Sequence, residues 1–343
     1  MPDEALAVRG TAAGSARSVT CIHARRGRIG LVGPPGSASQ EVAARIHDFT
    51  GGMSTFVATS SAATTTIREI DAIVAGVDAL QSDAASTVVV VVAPRPTPMA
   101  AATLIEKLAG ARIPAIACVV GADEATIALG TSRDVPVYTR SKTAALAAVT
   151  ADGVDPESLD LHPLNEPLIA EVRAMLAPEQ RYIRGLFTAG GLRAEAIALA
   201  REFHPDVREG APDAGVGTPA HVFWDLGASA ADDRHPKTDA RARSRLLRAT
   251  SADPAVGVVV LDFVLGAGAD DDPVGAMLPA IRAAKGAAAD RGRHLEVLGY
   301  VLGTDADPQG LAAQTAMLQD AGVTWASSAT NTGLLARAFV AAR

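Results

Sequence analysis

The chain alternates short aliphatic runs with longer stretches in which apolar residues recur every three or four positions. Residues 28–32, 88–92, 113–120 and 135–138 read as β-strands, each aliphatic and bounded by Gly, Pro, Ser or Asp. Residues 40–49 and 67–80, and the Ala-rich segment after Tyr138, read as helices. The same order then repeats. Residues 182–187, 257–261, 295–302 and 323–326 read as strands, with helical patterns at 192–203, at 241–250 and after Ala326. Four elements matched in the same order indicate an internal duplication. Strands alternating with helices imply parallel strands joined by right-handed crossovers. The expected fold is therefore α/β: two tandem, doubly wound parallel-sheet domains related by pseudo-symmetry.

The boundaries follow from the same pattern. Residues 1–26 read as a flexible lead that ends in a short strand at 19–23. The first domain spans 27–150 and the second 181–343. Between them, 151–180 reads as a linker with Pro156, Pro163, Pro167 and Pro178 and one helix at 168–176. A polar insert at 208–219 is expected to be a mobile loop.

Composition narrows the partners. Hydrophobic residues make up 48% and aromatics only 3%, so the core is built from Ala, Val, Leu and Ile, as suits strands buried on both faces. The net charge of −7 supplies no field for nucleic acid or for anionic lipid. No apolar run reaches membrane-spanning length, and the first residues lack the apolar stretch of a signal peptide. Cys21 and Cys118 make neither a disulfide framework nor zinc-ligand spacing. They read as reduced thiols, and the expected location is cytoplasmic.

Ligands of an open parallel sheet gather outside the carboxyl ends of its strands. The sharpest loop there is Gly33-Pro-Pro-Gly-Ser-Ala-Ser39. Gly36 allows a tight turn, and Ser37, Ala38 and Ser39 open the helix, where unpaired amides and the dipole favour an anion. It is neither a Walker loop nor a dinucleotide fingerprint. The alternative is an ordinary capped turn. Thr188-Ala-Gly-Gly191 has the same form at the equivalent place, and pseudo-symmetry would join Thr188, Ala189, Gly190 and Gly191 to the first loop as an anion clamp. Asp225 and Asp262 end strands, where a carboxylate holds a metal, orients a substrate or caps a helix. Asp270-Asp-Asp272 reads as a solvated charge run, and no metal site is expected. His235, with Arg234, Arg241 and Arg243 nearby, either contacts an anionic substrate or starts a surface helix. The other histidines show no ligand spacing.

These residues carry a resemblance. Gly27-Arg-Ile-Gly-Leu-Val-Gly33 followed by Gly36-Ser-Ala-Ser-Gln-Glu41 resembles the opening of the ligase-CoA domain of the succinyl-CoA synthetase α subunit. It is closer to the same segment of FdrA-type proteins, where Gly-Ser/Thr-x-x-Gln-Glu is usual. Phe223-Trp-Asp-Leu-Gly227, His235-Pro-x-x-Asp239, Val259-Val-Leu-Asp-Phe-Val-Leu-Gly266 and Gly303-Thr-x-x-Asp-Pro-Gln-Gly310 are similar to the C-terminal domain of the β subunit in its FdrA form. The resemblance covers Gly27 to the C-terminus. It implies flavodoxin-like domains and phosphate at Gly36–Ser39 and Ala189–Gly191; Thr188 is a further phosphate-binding candidate, and Asp225, Gly227, Gly303, Thr304 and Gln309 are the candidate substrate contacts. His235, Arg95 and Asp262 are the catalytic candidates. Departures limit it: Ala93-Pro-Arg-Pro96 stands where FdrA-type proteins favour Ser-Lys-Pro-Pro, and no ATP-grasp domain is recognised. Residues 121–133 contain no His, so no phosphohistidine relay is expected there. Only about 26 residues precede the first domain, too few for a CoA-binding Rossmann fold.

The resemblance implies an FdrA-like subunit that transfers a carbamoyl or acyl group to or from phosphate, like an oxamate carbamoyltransferase. The alternatives are an acyl-CoA synthetase subunit without phosphohistidine, and a non-catalytic assembly or binding subunit. No cofactor is assigned. Phosphate or carbamoyl phosphate is the expected ligand, CoA would need a partner chain, and the expected partners are other subunits or further copies of this chain.

Overall fold

The computed structural model describes residues 8–10, 24–59, 67–94, 96–211, 217–227 and 239–341. It divides into two compact units, Met1–Leu161 and His162–Arg343.

The first unit runs β1 (Val8–Gly10), β2 (Arg26–Gly33), α1 (Ser37–Asp48), β3 (Met53–Ala58), α2 (Ile67–Gln81), β4 (Val88–Val92), α3 (Pro98–Leu108), β5 (Ala115–Cys118), α4 (Glu124–Ser132), β6 (Val137–Tyr138) and α5 (Ser141–Ala151). The sheet order is β1-β3-β2-β4-β5-β6, and every pairing is parallel. Without β1 this is the 2-1-3-4-5 order of flavodoxin-like folds. The five valines of β4 are all buried at the centre, and Cys118 is fully buried at the end of β5. Helices α1 and α5 pack together, while α3 packs between α2 and α4.

The second unit runs α6 (Glu166–Met175), β7 (Tyr182–Phe187), α7 (Gly190–Arg201), β8 (Val207–Gly210), β9 (His221–Asp225), α8 (Arg241–Ser251), β10 (Val256–Val264), α9 (Leu278–Ala289), β11 (Glu296–Leu302), α10 (Leu311–Asp320), β12 (Thr324–Ala326) and α11 (Ala329–Phe339). Its parallel sheet has the order β12-β11-β10-β7-β9-β8. The central five strands again follow 2-1-3-4-5. All nine residues of β10 are buried, and α7 packs on α11 while α8 packs on α9.

Each sheet thus has six strands rather than the four recognised in each half. The second flavodoxin strand of the first unit, β3, does not stand out in the sequence because Ser54 and Thr55, both only partly buried, interrupt its apolar residues. The sixth strand lies outside that strand in both sheets but comes from different parts of the chain. In the first unit it is β1, inside the segment read as a lead. In the second it is β8, which runs from Val207 into the insert read as a loop at 208–219. The strand expected at 19–23, and residues 212–216 of the insert, lie outside the described residues. Among the described residues, no helix is long and apolar enough to cross a membrane.

Two local features expose the fold to test. Where β2 and β3 begin, Arg26 and Ile29 both pair with Met53 across a bulge, and the chains come together backbone on backbone. A Cβ on Gly52 would lie 2.4 Å from the Arg26 carbonyl oxygen. In the second unit, buried His221 accepts the Ile183 amide at Nδ1, 3.3 Å away, and stacks on His204. Burial first, then His204 and Arg184, pushes His221 down to about 3.

Gly52→Ala is expected to cost about 1–3 kcal/mol in urea unfolding, because backbone and not a side-chain tip must yield. His221 binds its proton more weakly folded than unfolded. Its contribution is complete above the unfolded value of 6.5 and is lost as pH falls from there toward 3. Each unit of pH in that window removes up to about 1.4 kcal/mol. His221→Asn keeps an acceptor for Ile183 but does not titrate. If the stability of the wild type relative to His221→Asn does not fall as pH drops below 6.5, the assignment is refuted.

Candidate functional site

In a doubly wound sheet the crevice opens where neighbouring strands send their helices to opposite faces. In the first unit that point lies between β2 and β4, and in the second between β7 and β10. The two crevices are furnished differently.

At β2/β4 the chain turns through Pro34, Pro35 and Gly36 into α1. Ser39 is fully buried, and its hydroxyl donates to the Pro34 carbonyl at 2.8 Å, so it braces the loop. Gly36, the N-cap, is extended, and its missing side chain leaves open space. The first turn of α1, with Ser37 and Ala38, has neither a side-chain cap nor an acidic residue. By contrast α3 is capped by Thr97 and α4 by Asp123, each accepting an amide of the first turn. The start of α5, at Arg140, also lacks a side-chain cap. Two cations, Arg140 and Lys142, therefore enter at an uncapped helix start on the same face as α1.

Lys142 ends the loop 139–142, a candidate loop at the carboxyl end of the last strand, without being among the site residues expected from sequence. Its ammonium is half-buried and donates to the Leu161 carbonyl. Burial, and then Arg45, lowers it below its ordinary value, while Asp160 and Glu41 act the other way. Glu41 is fully buried and lies 3.6 Å from Arg45, which also pairs with Asp48 at 2.6 Å. Arg95 lies outside the described residues.

At β7/β10 the crevice is filled by the protein's own groups. Asp262 is fully buried. Its carboxylate accepts the Thr188 amide at 2.7 Å, the Thr188 hydroxyl at 3.1 Å, and Arg243 Nη1 at 3.2 Å. Arg243 also donates to the Asp262 carbonyl and lies over the Phe263 ring, 4.8 Å from its centroid. Burial lowers Arg243, and Asp262 partly restores it. This network ties the ends of β7 and β10 together. The start of α7, at Ala189, Gly190 and Gly191, holds a second carboxylate: a Cβ on Gly190 would lie 2.6 Å from Asp225 Oδ2. Asp225 also lies 3.9 Å from Arg193 Nε, and Arg193 is paired with Glu209 at 2.9 Å. The positive end of α7 thus already faces an internal anion.

The remaining motif residues build loops. Asp307 accepts the Thr304 amide at 2.8 Å, and both are buried. The Gln309 side chain pairs with both backbone groups of Gly266, each at 3.0 Å, and so joins the loop after β11 to the loop after β10. Gly303 packs against Leu265 and Asp307, and Gly310 starts α10 with φ +74°. Asp272, in the acidic run, accepts the Gly275 amide and the Gln314 side chain, so it is an organised turn and not merely solvated. Gly227 sits half-buried in the turn after β9. His235 lies outside the described residues, and among the described residues no cluster of three metal-ligating side chains occurs.

The family model described as CoA-ligase matches residues 186–339. The uncharacterized protein YahF of Escherichia coli (strain K12) is 40% identical over 335 residues, covering 92% of this chain and 62% of YahF. The chain therefore spans less than two thirds of that relative. Among solved structures, acetyl-coenzyme A synthetase 1 of Ca. Korarchaeum cryptofilum, in complex with phosphate and ADP, is 13% identical, with 92% of this chain and 64% of that one covered and a TM-score of 0.33. ATP citrate lyase of Methanothrix soehngenii, in complex with citrate and coenzyme A, is 11% identical, with 92% and 50% covered and a TM-score of 0.30. The family match and the YahF relative support a succinyl-CoA synthetase-like character for this chain.

Proposed function

We propose that the chain is a CoA-ligase-like subunit acting on a small phosphorylated or carboxylate substrate, with the start of α1 as its anion seat. One observation carries the reading. Of the two helix starts that follow the first central strand of each sheet, α1 has no cap and no acidic residue in its first turn, while α7 holds Asp225 against it. Anion affinity then belongs to the first unit, where Arg140 and Lys142 add positive charge at the neighbouring α5.

In this reading the amides of Ser37, Ala38 and Ser39 stabilise charge that develops on a phosphate or acyl oxygen during transfer. No side-chain nucleophile is required of this chain. CoA or nucleotide would be bound elsewhere, on another segment or subunit. The Gly-Ser-Ala-Ser-Gln-Glu41 stretch, FdrA-like in form, and the lack of His in residues 121–133 favour carbamoyl phosphate within this class.

Thermal stability should rise on titration with phosphate or carbamoyl phosphate, by about 2.7 kcal/mol at a hundred times the dissociation constant. Gly36→Asp puts a carboxylate into open space at the N-cap. It should leave the unliganded melting point unchanged or slightly higher and abolish the response. An undiminished response in that variant would move the anion site away from α1.

Asp262→Ala tests the other crevice. Removing one partner leaves Arg243 charged and buried, which typically costs about 3–5 kcal/mol. The second unit should lose stability while the phosphate response of the first persists. If unfolding is unchanged and the ligand response disappears, Asp262 acts on substrate.

A further inference from the structure

The second unit has a cavity of about 500 Å³ at the amino ends of β7 and β9, the opposite end of the strands from the loops above. That volume falls within the range of small-molecule sites, roughly 300–1,000 Å³. Leu176, Phe339 and Val340 form an apolar wall, and Arg181, Tyr182, His204 and His221 form a polar one.

The two imidazoles stack with centroids 4.2 Å apart and planes 33° apart. Tyr182 meets His221 edge-on at 5.8 Å. The hydrogen bonds assign the tautomers. Because His221 accepts the Ile183 amide at Nδ1, its proton lies on Nε2. His204 Nε2 is 3.3 Å from the Arg337 carbonyl, which can only accept, so Nε2 carries the proton there and Nδ1 is the nitrogen able to take a second one.

The surroundings hold both rings neutral. Arg184 and Tyr182 approach from β7, Arg181 from just before it, Asp206 from the connection to β8, and Arg337 from α11. Arg184 is already paired with Asp253, and Arg337 with Glu202. Burial is the main cause that lowers His204, as it is for His221. An anion in the cavity would reverse this balance, because it would stabilise a proton on His204 Nδ1 and bring its own counter-charge to the cationic wall.

We propose that this cavity binds a small carboxylate with a flat apolar body, its acid group held by Arg181 and the histidine pair, and that binding is coupled to protonation of His204. The site is independent of the anion seat at α1.

The test is calorimetric titration of the full chain with benzoate and with its neutral counterpart benzamide. Benzoate should bind up to about tenfold more tightly for each unit of pH lowered toward pH 6. Its heat should also vary with the ionisation enthalpy of the buffer, reporting proton uptake. Benzamide should show neither effect. His204→Gln keeps a donor for the Arg337 carbonyl and cannot titrate, so the pH dependence should vanish at an unchanged melting temperature. Arg181→Gln, on the exposed rim, should weaken benzoate at every pH, and it keeps the test open if the first variant misfolds. Equal affinity for the two ligands, no binding of either at millimolar concentration, or a pH response that survives in His204→Gln would overturn the proposal.

Discussion

Every helix starts with amides that have no partner inside it, and in a parallel α/β unit those starts all emerge at the same end of the sheet. How each turn satisfies them decides what that end can bind. Here several are closed by side chains: Thr97 caps α3, Asp123 caps α4 and Ser328 caps α11. Asp225 lies against the start of α7. The start of α1, directly after the first central strand, has neither a side-chain cap nor an acidic residue in its first turn, and the starts of α5, α8, α9 and α10 share that feature.

The duplication makes the contrast informative, because the two units solve the same packing problem with different chemistry. In each, the first central helix packs against the last helix and buries a glutamate there. In the first unit Glu41 lies near Arg45, with Lys142, the second residue of α5, close enough to feel its charge. In the second unit Glu195 accepts the hydroxyl of Thr330, the second residue of α11, at 2.5 Å. An arrangement of charged side chains in one copy is replaced in the other by a carboxylate that accepts a hydroxyl. Duplicated architecture therefore does not carry duplicated electrostatics, and residues equivalent by position, such as Ser37 and Gly190, cannot be assumed to share a ligand.

The aliphatic runs made the sheets legible. A run such as Val88–Val92 can be buried on both faces only at the centre of a parallel layer, and the repeated strand–turn–helix order set the class. The edges were less legible. Val8–Gly10 and Val207–Gly210 are too short and too polar to stand out, and become strands only because a neighbouring strand offers a ladder. The sites were legible only in part. Sequence placed Thr188 and Asp262 at strand ends, but their mutual hydrogen bonds depend on β7 and β10 being neighbours, 74 residues apart in the chain. His204 and His221 likewise show no ligand spacing and meet only because α7 and β9 bring them together.

The motif residues expose a further limit on reading chemistry from a signature. Gly303-Thr-Asp-Ala-Asp-Pro-Gln-Gly310 is specific as a pattern, yet its polar side chains have work to do inside the protein. Asp307 holds the Thr304 amide, and Gln309 takes both backbone groups of Gly266. Buried polar groups require partners, so a loop that folds back on itself places strict demands on residue type. Such a signature is evidence of a loop's shape before it is evidence of a reaction. The α1 turn differs in kind: no side chain caps its helix start, and Gly36 leaves open space there.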